Sequence, residues 1–167
     1  MKVQSPEIDK LAGINYYTTS INGIGGQIKK NYADFFVREI ISDRFLHQLS
    51  STPQSNFSFP IYKIEKKGID SSHAVMLLRK KTGLNFKIIG MKDAKATTVQ
   101  YASSNRSLDS RKLAQQFETG PVLLSLIGYS KKPVEKNNLI GNAFRIRIMN
   151  IKKPLVSDIT KFISEID

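Results

Sequence analysis

The chain has 167 residues, of which 40% are hydrophobic and 24% charged, so one domain with a substantial core is expected. It has no cysteine and only two well-separated histidines, which argues against a disulfide framework, a metal site and histidine-based catalysis. Its 26 Lys+Arg residues against 14 Asp+Glu residues give a net charge of +12. Nearly all of this excess lies after residue 60, which favours a polyanionic partner, most simply nucleic acid, although lysine content also maintains solubility.

The hydrophobic residues are dispersed along the chain. No apolar run reaches 18 residues, so we predict no membrane span. The first residues carry no apolar signal segment, so we predict no export and a cytoplasmic location.

The predicted elements begin after residues 1–20, which have no clear period and are treated as an N-terminal extension. In chain order, the pattern predicts strands over 34–41 and 62–66, a helix over 73–81, strands over 86–89 and 98–102, a helix over 111–118, strands over 122–129 and 142–148, and a helix over 157–166. Helices and strands alternate without a strict βαβ rhythm. The fold class is therefore α+β with a largely antiparallel sheet.

One carboxylate, Asp93, lies in the predicted loop after the strand at 86–89 and directly follows Lys92. Loops at strand ends often present catalytic groups, and a neighbouring ammonium favours an ionised carboxylate if the two lie close. Thr98 and Gln100 follow at alternating positions and could donate hydrogen bonds from one strand face. This pattern suggests a nucleophile or base that acts on a polyanion, and a surface ion pair is the simpler alternative.

Three other patterns admit a functional or a structural interpretation. Gly25-Gly26 precedes two lysines but lacks the Gly-Lys-Ser/Thr ending of a phosphate-binding loop, so a hairpin turn is the alternative. Phe35 and Phe36 face opposite ways on a strand, so one of them can leave the core and stack on an RNA base. Asn142 follows Gly141 at a strand start. It either serves as a turn residue or provides an amide that binds a base edge or a catalytic carboxylate.

Three sequence blocks carry a resemblance to a known family. They are Gly25-Gly26-Gln27-Ile28-Lys29 followed by residues 31–39 (NYADFFVRE), then Gly90-Met91-Lys92-Asp93 with Ala96, Thr98 and Gln100, then residues 139–144 (LIGNAF). Together, and in this order, they resemble the TruD family of tRNA pseudouridine synthases. The resemblance runs from about residue 23 to at least residue 150.

The family converts uridine to pseudouridine in RNA, usually at a uridine in the D arm of tRNA. The resemblance implies that Asp93 attacks a flipped uridine, at the ribose or at the base, and that uracil detaches, turns and rejoins through carbon without a cofactor or metal. A flipped base needs stacking and hydrogen-bonding groups. The resemblance implies that Phe35 is the stacking aromatic and that Asn142 and Phe144 line the pocket.

The basic partner of Asp93 is assigned on the same resemblance. Lys29 is the first candidate, and Lys92 is the alternative, either as the partner or as a phosphate contact. The family usually has a basic residue directly after the aspartate, where this chain has Ala94 and then Lys95. This difference bears on phosphate contacts near Asp93 rather than on the chemistry.

The resemblance also implies that residues 21–167 are the N-terminal part of a catalytic domain. The family's downstream N-Y-F-G-x-Q-R-F-G block and inserted second domain are not in this sequence. We therefore expect weak binding to tRNA or other structured RNA, little turnover by this chain alone, and self-association through an exposed sheet edge. The alternatives are a non-catalytic basic RNA-binding module and a phosphate-handling enzyme built on Gly25-Gly26.

Overall fold

The computed structural model describes residues 3–17, 25–55, 59–108, 116–151 and 156–166. They belong to two compact units, one comprising Met1–Gln27 with Ile148–Asp167 and the other comprising Ile28–Arg147. The elements are β1 (Val3–Gln4), α1 (Glu7–Leu11), β2 (Tyr16–Tyr17), β3 (Phe35–Ile41), α2 (Asp43–His47), β4 (Phe59–Lys67), α3 (Ser71–Thr82), β5 (Phe86–Ile88), β6 (Thr97–Ser104), β7 (Gln116–Thr119), β8 (Val122–Ser130), β9 (Leu139–Ile146) and α4 (Val156–Ile166). None of the helices in these ranges is long and apolar enough to cross a bilayer.

The larger unit is built on a seven-stranded sheet in the order β7-β8-β4-β6-β3-β9, with β5 beside β6. Only β3 and β6 pair in parallel, and the other pairs of this sheet are antiparallel. The predicted α+β class with a largely antiparallel sheet is confirmed. Strand β6 has β4 on one side, while its other side is shared between β3 at its start and β5 at its end. The chain from β5 to β6 must therefore loop out beside β3, and Asp93 lies on this loop.

The core forms on both faces of the central strands because their apolar residues alternate. The cluster on the α3 face contains Tyr62, Ile64, Ala74, Leu78, Leu84, Phe86, Ala102, Leu108, Val122 and Leu124. A second, smaller cluster contains Ile41, Phe45, Ile61 and Val134.

Helix α3 contains the predicted helix over 73–81 and extends it by two residues at its start and one at its end. The Asp70 carboxylate accepts the His73 N–H at 3.0 Å and caps the start. Gly83, with φ of +74°, ends the helix and donates its N–H to the Arg79 carbonyl at 2.8 Å. The helix thus closes one side of the sheet and brings Ser71, its first residue, next to the Asp93 loop.

The structure differs from the prediction in several regions. The predicted helix over 111–118 is wrong at residues 116–118, which belong to strand β7 and pair with β8, while residues 111–115 lie outside the described ranges. A two-residue turn, with Gly120 at φ of +56°, joins β7 to β8, and this hairpin pairing overrides the local helical pattern. The short elements β1, α1 and β2 in residues 1–20, and helix α2, were not predicted because each is too short to show a period.

Gly25 and Gly26 both have positive φ angles and precede an isolated bridge between Gln27 and Met149. A Cβ atom at Gly26 would lie 2.5 Å from a methyl carbon of Ile148, so the close approach of the backbone requires glycine there. No helix follows directly, as a phosphate-binding loop would require.

Candidate active site

Asp93 presents its carboxylate to solvent, with 67% of the side chain exposed. The Lys29 ammonium donates a hydrogen bond to Asp93 Oδ2 at 2.7 Å. This hydrogen bond, together with the positive charge of Lys29, lowers the pKa of Asp93 below its ordinary value of 3.8. The carboxylate is therefore ionised at neutral pH, as a nucleophile must be.

Lys29 also contacts an aromatic pair. Its ammonium lies 4.1 Å from the centre of the Phe35 ring, within the range of a cation–π interaction. Phe35 and Phe144 pack edge to face, with ring centres 6.3 Å apart and planes at 66°. Phe144 is 61% exposed and opens this aromatic surface to solvent. Three of the predicted site residues, Lys29, Phe35 and Phe144, thus extend from Asp93 in one continuous chain of contacts.

The sheet register places the strand residues around the site on a single face. Lys66 on β4 lies opposite Thr98 on β6, Thr98 opposite Val37 on β3, and Val37 opposite Phe144 on β9. Residues opposite each other in a sheet point to the same side. Asn142, two residues before Phe144, shares its side and is exposed. Its predicted part in the pocket is compatible with this position and stays a prediction.

Lys92 does not contact Asp93 through its side chain. Its ammonium pairs with Glu39 Oε1 at 2.8 Å, and this ion pair is buried, with 12% of the Lys92 and none of the Glu39 side chain exposed. Glu39 Oε2 also accepts the Tyr101 N–H at 2.7 Å, which ties β3 to β6. Of the two candidates for the basic partner of Asp93, the geometry favours Lys29 and assigns Lys92 to an internal ion pair.

Thr98 and Gln100 share one face, as predicted, but they lie beneath the loop with 0% and 1% exposure. Gln100 Oε1 accepts a hydrogen bond from Ser71 Oγ at 2.7 Å, and Ser71 Oγ in turn accepts the Lys92 N–H at 2.9 Å. Gln100 thus supports the loop through α3. Substrate contact by Thr98 or Gln100 stays a prediction. In this structure both side chains are buried and cannot reach a substrate.

Glu39, Lys66 and Ser71 support the loop and were missed by the sequence analysis. The sequence did contain a signal for Glu39 and Lys66, because each is a charged residue that alternates with apolar residues on a strand. Glu39 lies between Val37 and Ile41, and Lys66 follows Ile64 in the same way. A charge at an alternating buried position requires a specific partner, and here both partners lie in or beside the Asp93 loop.

A basic cleft adjoins the ion pair of Asp93 and Lys29. It has a volume of about 470 Å³ and is lined by Lys29, Lys30, Asn31, Tyr32, Ala33, Lys67 and Lys95. None of these residues is acidic. Lys30, Lys67 and Lys95, hereafter the cleft lysines, are exposed and form no ion pair within the described part of the chain. The cleft therefore offers three free positive charges beside the carboxylate.

Metal-binding side chains do not gather at this site. Over the described ranges, no group of three histidine, aspartate or glutamate residues is arranged to hold a metal ion. The basic cleft is instead suited to anions.

The comparisons with known proteins identify the family. The family profile described as tRNA pseudouridine synthase D (TruD) matches residues 11–167. The chain belongs to the TruD family. Relatives from Methanosarcina barkeri and Pyrococcus abyssi, both named "Probable tRNA pseudouridine synthase D", are 33% and 34% identical over 89% and 90% of this chain.

A crystal structure assigned to a TruD protein from Methanosarcina mazei has the same fold. It superposes with a TM-score of 0.78 at 29% identity and covers 99% of this chain but 37% of its own. The two curated relatives are covered over 32% and 34% of their length. This TruD chain therefore spans about a third of the length of the proteins it matches.

Proposed function

We propose that this chain carries the nucleophile of a tRNA pseudouridine synthase, an isomerase that converts uridine to pseudouridine in tRNA. The observation that carries the proposal is the exposed, ionised Asp93 carboxylate held by Lys29 beside the aromatic pair Phe35 and Phe144. Membership of the TruD family supports the reaction class. The chain spans about a third of the length of its TruD relatives. We therefore expect this chain alone to bind RNA weakly and to show little turnover.

In the proposed reaction, the target uridine leaves its stack and enters beside Asp93, with its base against Phe35. An Asp93 oxygen forms a bond to the ribose C1′ or to the base. The N1–C1′ bond breaks, and uracil turns. A C5–C1′ bond then forms as Asp93 is released, the proton on C5 is lost and N1 is protonated. No atom is gained or lost overall.

Lys29 has two functions in this scheme. Its hydrogen bond orients the carboxylate, and its charge holds the pKa of Asp93 low. A carboxylate of low pKa is a weaker nucleophile but a better leaving group, and the second half of the reaction requires Asp93 to leave. The Lys29 ammonium also lies over one face of the Phe35 ring, so the base would have to stack on the other face or displace the ammonium.

The basic cleft supports RNA as the substrate class. The cleft lysines would contact backbone phosphates of nucleotides that flank the flipped uridine. Lys95 supplies a cation close to the position where the family usually has a basic residue directly after the aspartate.

The test is a pseudouridine assay on an unmodified tRNA transcript with protein in excess. Carbodiimide treatment and primer extension map the product, and Asp93→Asn is run beside the wild type. A new stop at one uridine, absent with Asp93→Asn, is the expected result. A stop that persists with Asp93→Asn would refute Asp93 as the nucleophile.

The competing function is a non-catalytic RNA-binding module, which the three free cleft lysines would also suit. It predicts RNA binding by both proteins and a stop with neither. A version of the protein that extends to the full length of the TruD relatives, assayed in the same way, separates this outcome from an incomplete active site.

A further inference from the structure

The Lys29 hydrogen bond orients the Asp93 carboxylate, but this single exposed contact does not fix the position of the side chain closely. The carboxylate is two-thirds exposed, and its hydrogen-bond partner among the described residues is the single ammonium of Lys29. A surface ion pair of this kind does not hold a side chain to within a fraction of an ångström. A nucleophile must nevertheless lie within that tolerance, because a displacement of about 1 Å can cost about 100-fold in rate. The position of Asp93 must therefore depend on how its main chain is held.

The main chain at Asp93 is held from below by a buried lysine. Lys66 is 1% exposed, and its ammonium donates to the carbonyl oxygens of Asp93 at 2.9 Å and Lys92 at 3.3 Å. A third bond, of 2.7 Å, goes to the Ile69 carbonyl just before α3. Lys66 belongs to β4, a strand paired on both sides in the centre of the sheet. One side chain thus joins the peptide unit of Asp93 to a central strand of the sheet.

We propose that Lys66 is a positioning residue for Asp93, and that its positive charge is what holds the Lys92 and Asp93 carbonyls in place. An ammonium has three N–H donors, which match the three carbonyls. A neutral amine has two donors and a lone pair, so one carbonyl would face a lone pair and be repelled. The loop would loosen when Lys66 loses its proton.

The surroundings of Lys66 place this loss close to physiological pH. Burial lowers the pKa of Lys66 from 10.5 to about 8, the Lys92 ammonium acts in the same direction, and the carboxylates of Asp70 and Asp93 oppose it. The Lys92 charge is itself paired with the buried Glu39. Replacing Lys66 by a residue that cannot titrate near pH 8 should therefore alter the pH dependence of the loop as well as its stability.

The catalytic consequence of this proposal rests on the proposed function. The first experiment therefore measures the stability of the loop and not enzyme activity. Hydrogen exchange of the amides of residues 91–96 is followed at pH 7 in the wild type, Lys66→Met and Lys63→Met. Lys63 lies on the same strand, points to the other face and pairs with Glu65, so its variant is a matched control. We expect exchange to be at least about tenfold faster in Lys66→Met with the amides of β8 unchanged, and wild-type rates in Lys63→Met. Unchanged exchange of the loop in Lys66→Met would overturn the proposal.

A second arm tests the charge and remains informative if Lys66→Met fails to fold. Exchange of the wild type is corrected for the intrinsic effect of pH and compared with Lys66→Arg, which stays charged throughout. We expect extra opening of the loop in the wild type with a midpoint near pH 8, and none in Lys66→Arg. A corrected rate that stays flat from pH 7 to 9.5 in the wild type would overturn the role of the charge.

The activity arm separates this proposal from the proposed function. In a version of the protein that makes pseudouridine, Lys66→Met should lower kcat by about 10- to 100-fold with KM changed less than twofold, because substrate contacts are retained. An equal rise in KM instead would overturn positioning. If the loop loosens in Lys66→Met while no version of the protein forms pseudouridine, the proposed function fails and the role of Lys66 in holding the loop stands.

Discussion

Replacing Glu39 by glutamine tests whether the buried ion pair stabilises the site. The Glu39 carboxylate is fully buried and has two partners, the Lys92 ammonium at 2.8 Å and the Tyr101 N–H at 2.7 Å. In Glu39→Gln the amide oxygen can still accept the Tyr101 N–H. The amide nitrogen then faces Lys92, so the ammonium, which is only 12% exposed, loses its counter-charge.

The expected cost follows from this geometry. Removing one partner of a buried ion pair costs about 3–5 kcal/mol, because the other charge is left unpaired. Two features reduce the loss here, since the hydrogen bond to Tyr101 survives and Lys92 can move toward solvent. We therefore expect Glu39→Gln to lower the free energy of unfolding by about 2–4 kcal/mol. The double variant Glu39→Gln with Lys92→Met removes the unpaired charge and should recover at least about half of that loss.

Urea unfolding followed by far-ultraviolet circular dichroism measures these differences, since the chain has no tryptophan to report by fluorescence. Lys63→Met, which removes a partly exposed ion pair with Glu65, is the control and should change stability by less than about 1 kcal/mol. A loss below about 1 kcal/mol for Glu39→Gln, or a double variant less stable than Glu39→Gln alone, would contradict the assignment of a stabilising buried pair.

Three further results are expected. Leu78→Ala, at a fully buried position of α3, should cost about 2–5 kcal/mol in the same urea assay. Lys29→Met should raise the pKa of Asp93 toward 3.8, as measured by carbon-13 NMR of its carboxylate. Because the pKa of Asp93 is lower in the folded than in the unfolded protein, the ion pair stabilises the fold above about pH 4. This stabilisation is lost as the pH falls through the folded pKa. Replacing the cleft lysines by alanine should reduce the slope of log K against log salt for RNA binding by about 2, at roughly 0.7 per phosphate contact, whereas replacing Lys80 and Lys81 on α3 should leave it unchanged. An equal change in both sets would indicate general charge attraction rather than a specific cleft.

Much of the local structure could be predicted from residue patterns. The strands β3, β4, β6, β8 and β9 follow from alternating or continuous apolar residues, and α3 from Asp70 at its start and Gly83 at its end. The nucleophile candidate was also found in this way, because the motif around Asp93 is contiguous in the chain. Interactions between residues close in sequence leave such signals.

Long-range pairing left weaker signals or none. Strand β7 was predicted as helix because its conformation depends on pairing with β8 across a turn whose glycine has a positive φ. Lys92 was only the alternative partner of Asp93, considered because it is adjacent in the sequence. A loop lets neighbouring side chains point apart, and Lys92 turns inward to Glu39.

The sequence by itself determined which residue types this TruD chain has available: a carboxylate in a strand-end loop, aromatic residues at the start of one strand and within another, and an excess of lysine. Only the tertiary structure decided which of them meet. Lys29 reaches Asp93 across 64 residues and Lys92 reaches Glu39 across 53, because the parallel pairing of β3 with β6 brings these segments side by side. The three hydrogen bonds of Lys66 arise in the same way, since its ammonium meets the carbonyls of Ile69, Lys92 and Asp93 only where the sheet, the start of α3 and the Asp93 loop converge.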